Sequence, residues 1–326
     1  MNFKLYLIFT LTTVITGLNA QSFDLEQATQ LIRPRLKTEG RIILNANFKD
    51  TSGNFNLTEQ SLVLTFPLKR KFSADIALNL KSLKPKELLK NSIRIKACDI
   101  LGNIRITSRQ LKLGIDSLPA KNIYGINAGI TGLHLTKKYR IAFYSVNAHL
   151  LEQDKYLSAP ALRLSALGGL YHVRGLRKSF YYGAALVYSD GLLLPAPFIG
   201  GTERLFRNWY FNYTLPVQLN IEYNDNKHRM LAGVKADGFR SSLSFKNLRR
   251  AMNYTQGMTY IQYRYRFSNT FYAHAEGGYI FYHKMHFAST SEVTSAYHLK
   301  GKPYIQAGFF AYFGKGLLEK IIEQLF

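Results

Sequence analysis

The stretch Trp209-Tyr210-Phe211-Asn212-Tyr213-Thr214-Leu215-Pro216-Val217-Gln218-Leu219-Asn220-Ile221-Glu222-Tyr223 alternates without a break. Every odd position is apolar or aromatic, whereas the even positions include Asn212, Thr214, Gln218, Asn220 and Glu222. Successive side chains of a strand point to opposite faces, so this pattern makes one face apolar and the other polar; a helix would scatter both sets around its circumference. Along the apolar face, aliphatic Leu215 to Ile221 lie between Tyr213 and Tyr223. Ten strand steps at about 3.3 Å cover about 33 Å. A tilt of about 40° brings that to about 25 Å, the height of an apolar band girdled by aromatics on a membrane-spanning barrel. A soluble sandwich strand averages only about five or six residues. Pro216 removes one ladder donor. The odd phase carried through it reads as one strand, with a corner between two strands as the other reading.

Other segments repeat the alternation. Phe271, Ala273, Ala275, Gly277, Tyr279 and Phe281 oppose Tyr272, His274, Glu276 and Gly278. Ile261, Tyr263, Tyr265 and Phe267 oppose Tyr260, Gln262, Arg264 and Arg266, and Ile305 to Phe313 alternates likewise. Shorter runs occur at 42–48, 62–68, 74–80, 124–130, 142–150, 162–166 and 180–188. The stretch Ile104–Leu113 changes phase between Ile106 and Leu111, which predicts a bulge. Ser268-Asn269, Arg70-Lys71, Asp225-Asn226, Gly53-Asn54 and Asp190-Gly191 read as turns. The sum is an all-β, closed antiparallel transmembrane barrel of 12 strands, with 14 as the alternative, since closed bacterial barrels favour even numbers. No helical crossover separates the strands, which excludes a parallel α/β sheet.

The flanks read differently. Lys4 followed by the uncharged run Leu5 to Leu18 and then Asn19-Ala20 has the form of an export signal cleaved near Ala20. Residues 21–38 read as a periplasmic segment with helical character before Pro34, and 39–313 as the barrel. In 314–326, Leu317, Leu318, Ile321, Ile322 and Leu325 recur at helical spacing, predicting a short amphipathic helix that packs on the barrel end. The chain of 326 residues holds 22 Tyr and 22 Phe but one Trp, and one cysteine, Cys98, which excludes an intramolecular disulfide framework and Cys-rich zinc modules.

Together the signal, the girdled strands and the final strand Tyr304–Phe313 resemble bacterial outer-membrane β-barrels. In that group the insertion machinery reads an aromatic residue at the end of the last strand, a position Phe313 matches. The resemblance implies outer-membrane localisation and a passive transport or structural role. The segments Pro197-Phe198-Ile199-Gly200-Gly201, Asn208-Trp209 to Pro216, and Asp237-Gly238-Phe239-Arg240 resemble, more narrowly, a Bacteroidetes-type outer-membrane barrel family with no established activity.

Chemistry is sparse. No nucleophile elbow, phosphate loop, zinc-protease or dinucleotide motif is present. His274-Ala275-Glu276 lacks the cysteines a zinc deaminase needs. His283 and His286 lie three apart, on opposite faces of a strand, with Ser289 beyond. No metal, cofactor or catalytic residue is expected. Lys and Arg number 43 against 20 Asp and Glu, a formal charge of +23. Export and the lack of a clustered basic helix argue against nucleic acid. Rim residues such as Lys137, Lys138, Arg140, Arg174, Arg177, Lys178, Arg207, Arg249 and Arg250 suit lipopolysaccharide phosphates. The expected lumen-facing set is Gln218, Glu222, Lys235, Asp237, Gln262, Arg264, Arg266, His274 and Glu276. Its basic members would either bias a pore toward anions or pair with the inward acids and fill the lumen. The expected lipid-facing girdle is Trp209, Phe211, Tyr213, Tyr223, Phe271, Phe281 and Phe313. The reading is a non-enzymatic outer-membrane barrel, a passive pore or a structural component. The alternatives are a lipid-acting hydrolase in the same membrane and a secreted soluble β-sandwich.

Overall fold

A computed structural model describes residues 33–76, 93–114, 120–137, 140–153, 162–175, 178–189, 192–245, 248–288 and 295–314. The strands are β1 (Arg35–Asn47), β2 (Asn54–Ile76), β3 (Ile93–Leu113), β4 (Lys121–Lys137), β5 (Arg140–Gln153), β6 (Leu162–Gly175), β7 (Lys178–Ser189) and β8 (Leu192–Arg204). They continue as β9 (Trp209–Leu215), β10 (Gln218–Asn224), β11 (His228–Phe245), β12 (Leu248–Arg266), β13 (Phe271–Ala288), β14 (Ser295–Leu299) and β15 (Lys302–Tyr312). From β1 to β14 each strand pairs antiparallel with the next in sequence, β15 pairs β13, and β1 pairs β15, with Arg35 opposite Tyr312 and Ile43 opposite Tyr304. Because β14 and β15 both lie against the same side of β13, they are two parts of one strand interrupted at Lys300-Gly301. The ring therefore closes on 14 strands. Closure excludes the two-sheet sandwich.

The expected count of 12 fails first at Pro216. Val217 N–H donates to the Thr214 carbonyl at 2.7 Å, and β10 folds back on β9 with Leu219 opposite Tyr213 and Tyr223 opposite Trp209. Pro216, which has no donor to give a ladder, occupies the turn. This register pairs odd residues with odd, so the apolar set stays on one face around the hairpin. That is why two strands looked like one, and the inferred ten-step band does not exist in this stretch. A strand was also hidden at β8. Its Pro195 and Pro197 lie where β8 pairs β7 but runs past the end of β9, a position that costs no ladder bond on that side. The turn expected at Arg70-Lys71 is absent: β2 runs through it with a register shift between Pro67 and Lys69. The barrel begins at Arg35, directly after Pro34 and before residue 39, because Arg35 to Arg41 already alternate in β1. Residues 1–20 and the helix expected at 314–326 (beyond Gly314) lie outside the described residues, among which there is no helix.

No bulge interrupts Ile104–Leu113; its register with β2 and β4 is continuous. What changes there is the polarity of the two faces. Ile104 and Ile106 are exposed on the outer face, while Leu111 and Leu113 are buried inside. Farther along the outer face come Gln110 and Lys112, and on the inner face Arg105, Thr107 and Arg109 precede the leucines. The same inversion recurs on neighbouring strands. In β2, Leu62 and Leu64 are exposed outside and Phe55 and Leu57 buried inside, with Glu59 and Ser61 between them on the inner face. In β12, Ile261 and Tyr263 face out opposite Gln262 and Arg264, whereas Met252 and Tyr254 face in. One half of the barrel, toward Arg35 and Tyr312, is apolar outside and polar inside. The other half is built the opposite way, like a soluble domain.

That second half is solid. Ile43, Phe55, Leu57, Leu111, Ile123, Leu243, Met252, Tyr254 and Met285 are wholly buried in a single cluster drawn from β1–β4 and β11–β14. Tyr254 packs against its β11 neighbour Phe239 at 5.2 Å and, across the interior, against Phe55 of β2 at 5.3 Å, so walls that are not neighbours in the ring touch. The wall is also shorter around. Beyond its pairing with β10, β11 runs on and meets β5 in parallel at Ser241–Glu152 and Ser242–Gln153. This closes a smaller ring of β1–β5, β11–β13 and β14 above the ends of β6–β10.

Leu57→Ala empties part of this core and is expected to cost about 2–5 kcal/mol. Leu62→Ala, on the exposed face of the same strand, is expected to cost much less. Urea unfolding of the detergent-folded barrel, followed by the loss of heat-modifiable gel mobility, measures both.

Candidate functional site

Below the apolar core the interior turns polar because the inward positions of the same strands become charged. Inward Lys37, Glu39 and Arg41 come from β1, Glu59 from β2, Arg105 and Arg109 from β3, Arg229, Lys235 and Asp237 from β11, Arg264 from β12 and Glu276 from β13. They surround a chamber of about 310 Å³. Burying such charges is costly unless they are paired, and here they pair both with neighbouring strands and across the barrel. Arg41 donates to Glu59 and to Asp237, each at 2.6 Å, joining β1 to β2 and, across the interior, to β11. Glu59 also accepts from Arg109 at 3.1 Å, and the Arg109 guanidinium lies over the Phe239 ring at 4.2 Å. Lys235 meets Glu276 at 2.5 Å, and Glu276 accepts in addition from Gln262 and the Tyr304 hydroxyl, each at 2.7 Å.

The expected lumen residues distribute as follows. Gln218, Lys235, Asp237, Gln262, Arg264 and Glu276 line the chamber; Gln218 donates to the Tyr260 hydroxyl at 2.6 Å and Arg264 to Gln262 at 2.5 Å. Glu222 is buried beside it, accepting from Arg229 at 2.7 Å and Asn212 at 2.9 Å. His274 lies lower, 3.4 Å from Glu39 and against Phe310 at 4.8 Å. Phe310 is buried between Lys37 and Arg264, whose cations sit over its ring, and forms a floor. Arg266 is not in the lumen. It is at the β12–β13 turn, donating to the Ser268 carbonyl at 3.3 Å and to the Asn269 side chain, because the strand ends there and turn carbonyls need donors. Of the residues expected to face lipid, Trp209, Phe271, Phe281 and Phe313 are exposed on the outside. Phe211, Tyr213 and Tyr223 share that face half-buried, with Trp209 against Tyr223 at 5.3 Å and Phe211 against Tyr213 at 5.8 Å.

Arg41, Glu59 and Arg109, the hub of the chamber, were not among the expected residues. The signal was present as charge at every second position in Arg35, Lys37, Glu39 and Arg41, and as Arg105 and Arg109 four apart in β3.

A wider open groove of about 820 Å³ lies among the terminal-side turns, lined by Lys178, Glu203, Arg204, Arg207, Asn208, Asp225 and Asn226. There Lys178 pairs Glu203 at 2.7 Å, and Arg204 caps the Phe206 and Arg207 carbonyls. His283 faces the core, edge-on to Tyr254, whereas His286 faces out. A Ser–His contact, Ser165 to His149 at 3.1 Å, is on the inner wall, away from any lipid substrate. Among the described residues no group of three His, Cys, Asp or Glu is arranged to hold a metal.

The chain is similar in structure to the TodX monoaromatic hydrocarbon channel (8% identity, 86% of this chain and 90% of that chain, TM-score 0.43). It is also similar to Pseudomonas aeruginosa OccK7 (8%, 87% and 100%, TM-score 0.34) and Acinetobacter baumannii OccAB4 (9%, 86% and 99%, TM-score 0.31). Likeness at these identities transfers neither solute nor activity. No family model and no curated protein matches the chain, so the narrower Bacteroidetes-type resemblance stands on its quoted residues alone.

Arg41→Ala removes a buried cation from between two half-buried carboxylates and is expected to destabilise the barrel by about 2–3 kcal/mol, less than for a fully buried pair. Arg41→Ala combined with Asp237→Ala is expected to cost less than the sum of the two single changes. A double-mutant cycle from urea unfolding measures the coupling.

Proposed function

We propose that this chain is an integral outer-membrane barrel that serves the envelope as a sealed structural component with an internal chamber, in preference to an open passive pore. The observation that carries the reading is the polarity inversion. On the terminal side, every strand in the ring carries large apolar side chains exposed outward, from Leu36 and Ile42 on β1 around to Ile305 and Phe309 on β15. Such a belt far exceeds the few hundred Å² of apolar patch that soluble monomers expose. Lipid is the solvent that suits it, and a closed ladder is the sheet that lipid tolerates. On β13 the belt runs from Phe271 to Phe281, ten steps or about 33 Å of strand. At the usual tilt this is about 25 Å, with an aromatic at each end. Phe281 is the outward residue at which the β12–β13 register shifts, beyond which Lys284 takes the outer face.

The apolar core supports the sealed state, since aromatic and aliphatic side chains meet across the barrel in that half. Most connections on the terminal side are short: two residues separate β4 from β5 and β6 from β7, and the turns at 205–208, 225–227 and 267–270 take three or four. That is the pattern of periplasmic turns. With this orientation the solid half projects outward from the cell. Lys178, Arg140 and Arg207 then face the periplasm, and the β11–β12 hairpin carrying Arg249 and Arg250 is left on the side of lipopolysaccharide. Phe313, exposed just past β15, remains available as the aromatic that the insertion machinery would read.

Two outcomes are expected. Folded protein in a planar bilayer should show no steady conductance; stable ohmic steps would restore the open-pore reading. Ile261→Arg, level with Gly277 near the middle of the Phe271–Phe281 belt, should cost about 2–4 kcal/mol of membrane stability, whereas Gln60→Arg, on the outer face toward the solid half, should cost about 0–1 kcal/mol. Denaturant titration of folding into liposomes compares them, and equal costs would remove the membrane boundary from between these two residues.

A further inference from the structure

We propose that the internal chamber is a binding site for an uncharged polyol, a single sugar ring in size, entered from the terminal side of the barrel. Its dead-end character rests on the sealed reading above. The chamber, about 310 Å³, is at the low end of small-molecule sites, which span about 300–1,000 Å³. Its two sides differ in chemistry. Toward β1, β2, β11 and β13, the side chains of Arg41, Glu59, Asp237, Lys235 and Glu276 are each held in an ion pair. A charged solute would have to compete with those pairs, and separating a buried ion from its partner is costly. On the facing side, the residues of β8–β10 that reach the chamber carry no charge: Thr202, Asn212, Thr214, Gln218 and Asn220 line it.

Part of this uncharged lining keeps hydrogen-bonding capacity. An amide side chain has two N–H donors and a carbonyl that accepts twice. Gln218 gives one N–H to the Tyr260 hydroxyl at 2.6 Å, and Gln306, on β15, gives one to Glu39 at 3.2 Å. Each amide thus retains a donor and its carbonyl on the chamber, and the Ser61 hydroxyl lines the same space from β2. These groups sit on three different walls. A ring bearing hydroxyls around its edge both donates and accepts in several directions, and so suits them without displacing an ion pair. Tyr181 and Tyr260 also line the chamber and offer ring surface to the C–H groups of such a ligand. Phe310 floors the chamber between β1 and β12. Below the opposite wall the inward strip stays polar down to the rim. Asn212 donates to Asn220 at 3.0 Å and to Glu222 at 2.9 Å, and exposed Asn224, at the end of β10, donates to Glu222 at 3.1 Å. A polyol approaching along β9–β10 exchanges water for these groups and stops beneath the apolar core.

The test uses the full-length barrel folded in an amine-oxide detergent, because glycoside detergents would themselves compete. Heat-modifiable gel mobility confirms the fold of every variant. The probes are D-glucose, D-galactose and myo-inositol, followed by saturation-transfer NMR and calorimetric titration. At least one should bind saturably, and equimolar inorganic phosphate should not displace it. Gln218→Leu and Asn220→Leu should each weaken binding tenfold or more, so the test survives if one of them fails to fold. Gln60→Leu, the same kind of change on the outer face, should leave affinity within twofold. If none of the three probes binds, the chamber holds water only and the site is wrong. Binding that survives both inward changes places the sugar elsewhere and is equally fatal, and displacement by phosphate overturns the uncharged class. Conductance is read on the same preparation. A barrel that binds and conducts keeps the site and loses the sealed reading, whereas one that does neither loses the site alone.

Discussion

A peptide group in lipid has no partner except another peptide group, so a sheet that enters a membrane must have no edge. The pairing of β1 with β15 meets that demand, and the rest of the molecule follows from it. Once the ring is closed, every strand has an inside and an outside, and each second residue must suit one or the other. The number of strands sets how much interior there is to fill. This chain fills it in two ways along the same strands: with crossed ion pairs where the outside is apolar, and with an aromatic and aliphatic core where the outside is polar.

The two fillings are linked. Charges such as Arg41, Glu59 and Asp237 are tolerable inside because each finds an opposite charge within 2.6 Å, Glu59 from the strand next to β1 and Asp237 from the opposite wall. The crossing of β11 to β5 goes with a narrowed interior, in which Tyr254 reaches Phe55 and Asp237 reaches Arg41 from the far wall. The same crossing leaves β6–β10 as a lower wall and makes the β9–β10 hairpin its lowest point.

Face assignment was legible in the sequence, because side-chain period depends only on the local backbone: odd positions out and even positions in holds from Trp209 to Tyr223. Strand number was not. A turn whose register pairs odd with odd leaves no mark on alternation, so Pro216 had to be weighed on its missing donor, and that consideration pointed to the turn actually formed. At Ile104–Leu113 the phase change was real and its meaning was missed. A bulge shifts which residue faces inward, whereas here the backbone stays regular and the environment on each face changes. The chamber was half legible. Inward Lys235, Asp237 and Glu276 followed from alternation, but the meeting of β1 with β11 across the lumen depends on ring closure, which no local pattern encodes.

The central claim is that the membrane surrounds only the terminal half of the barrel, with its boundary where the faces exchange polarity. Nitroxide labels at single cysteines in a Cys98→Ser background, in protein folded into liposomes, test it directly through collision with oxygen and with a water-soluble nickel chelate. Labels at positions 62, 106 and 261 are expected to favour oxygen, and labels at 58, 112 and 284 to favour the chelate. Chelate accessibility at 62 and 106 equal to that at 58 and 112 would contradict the account.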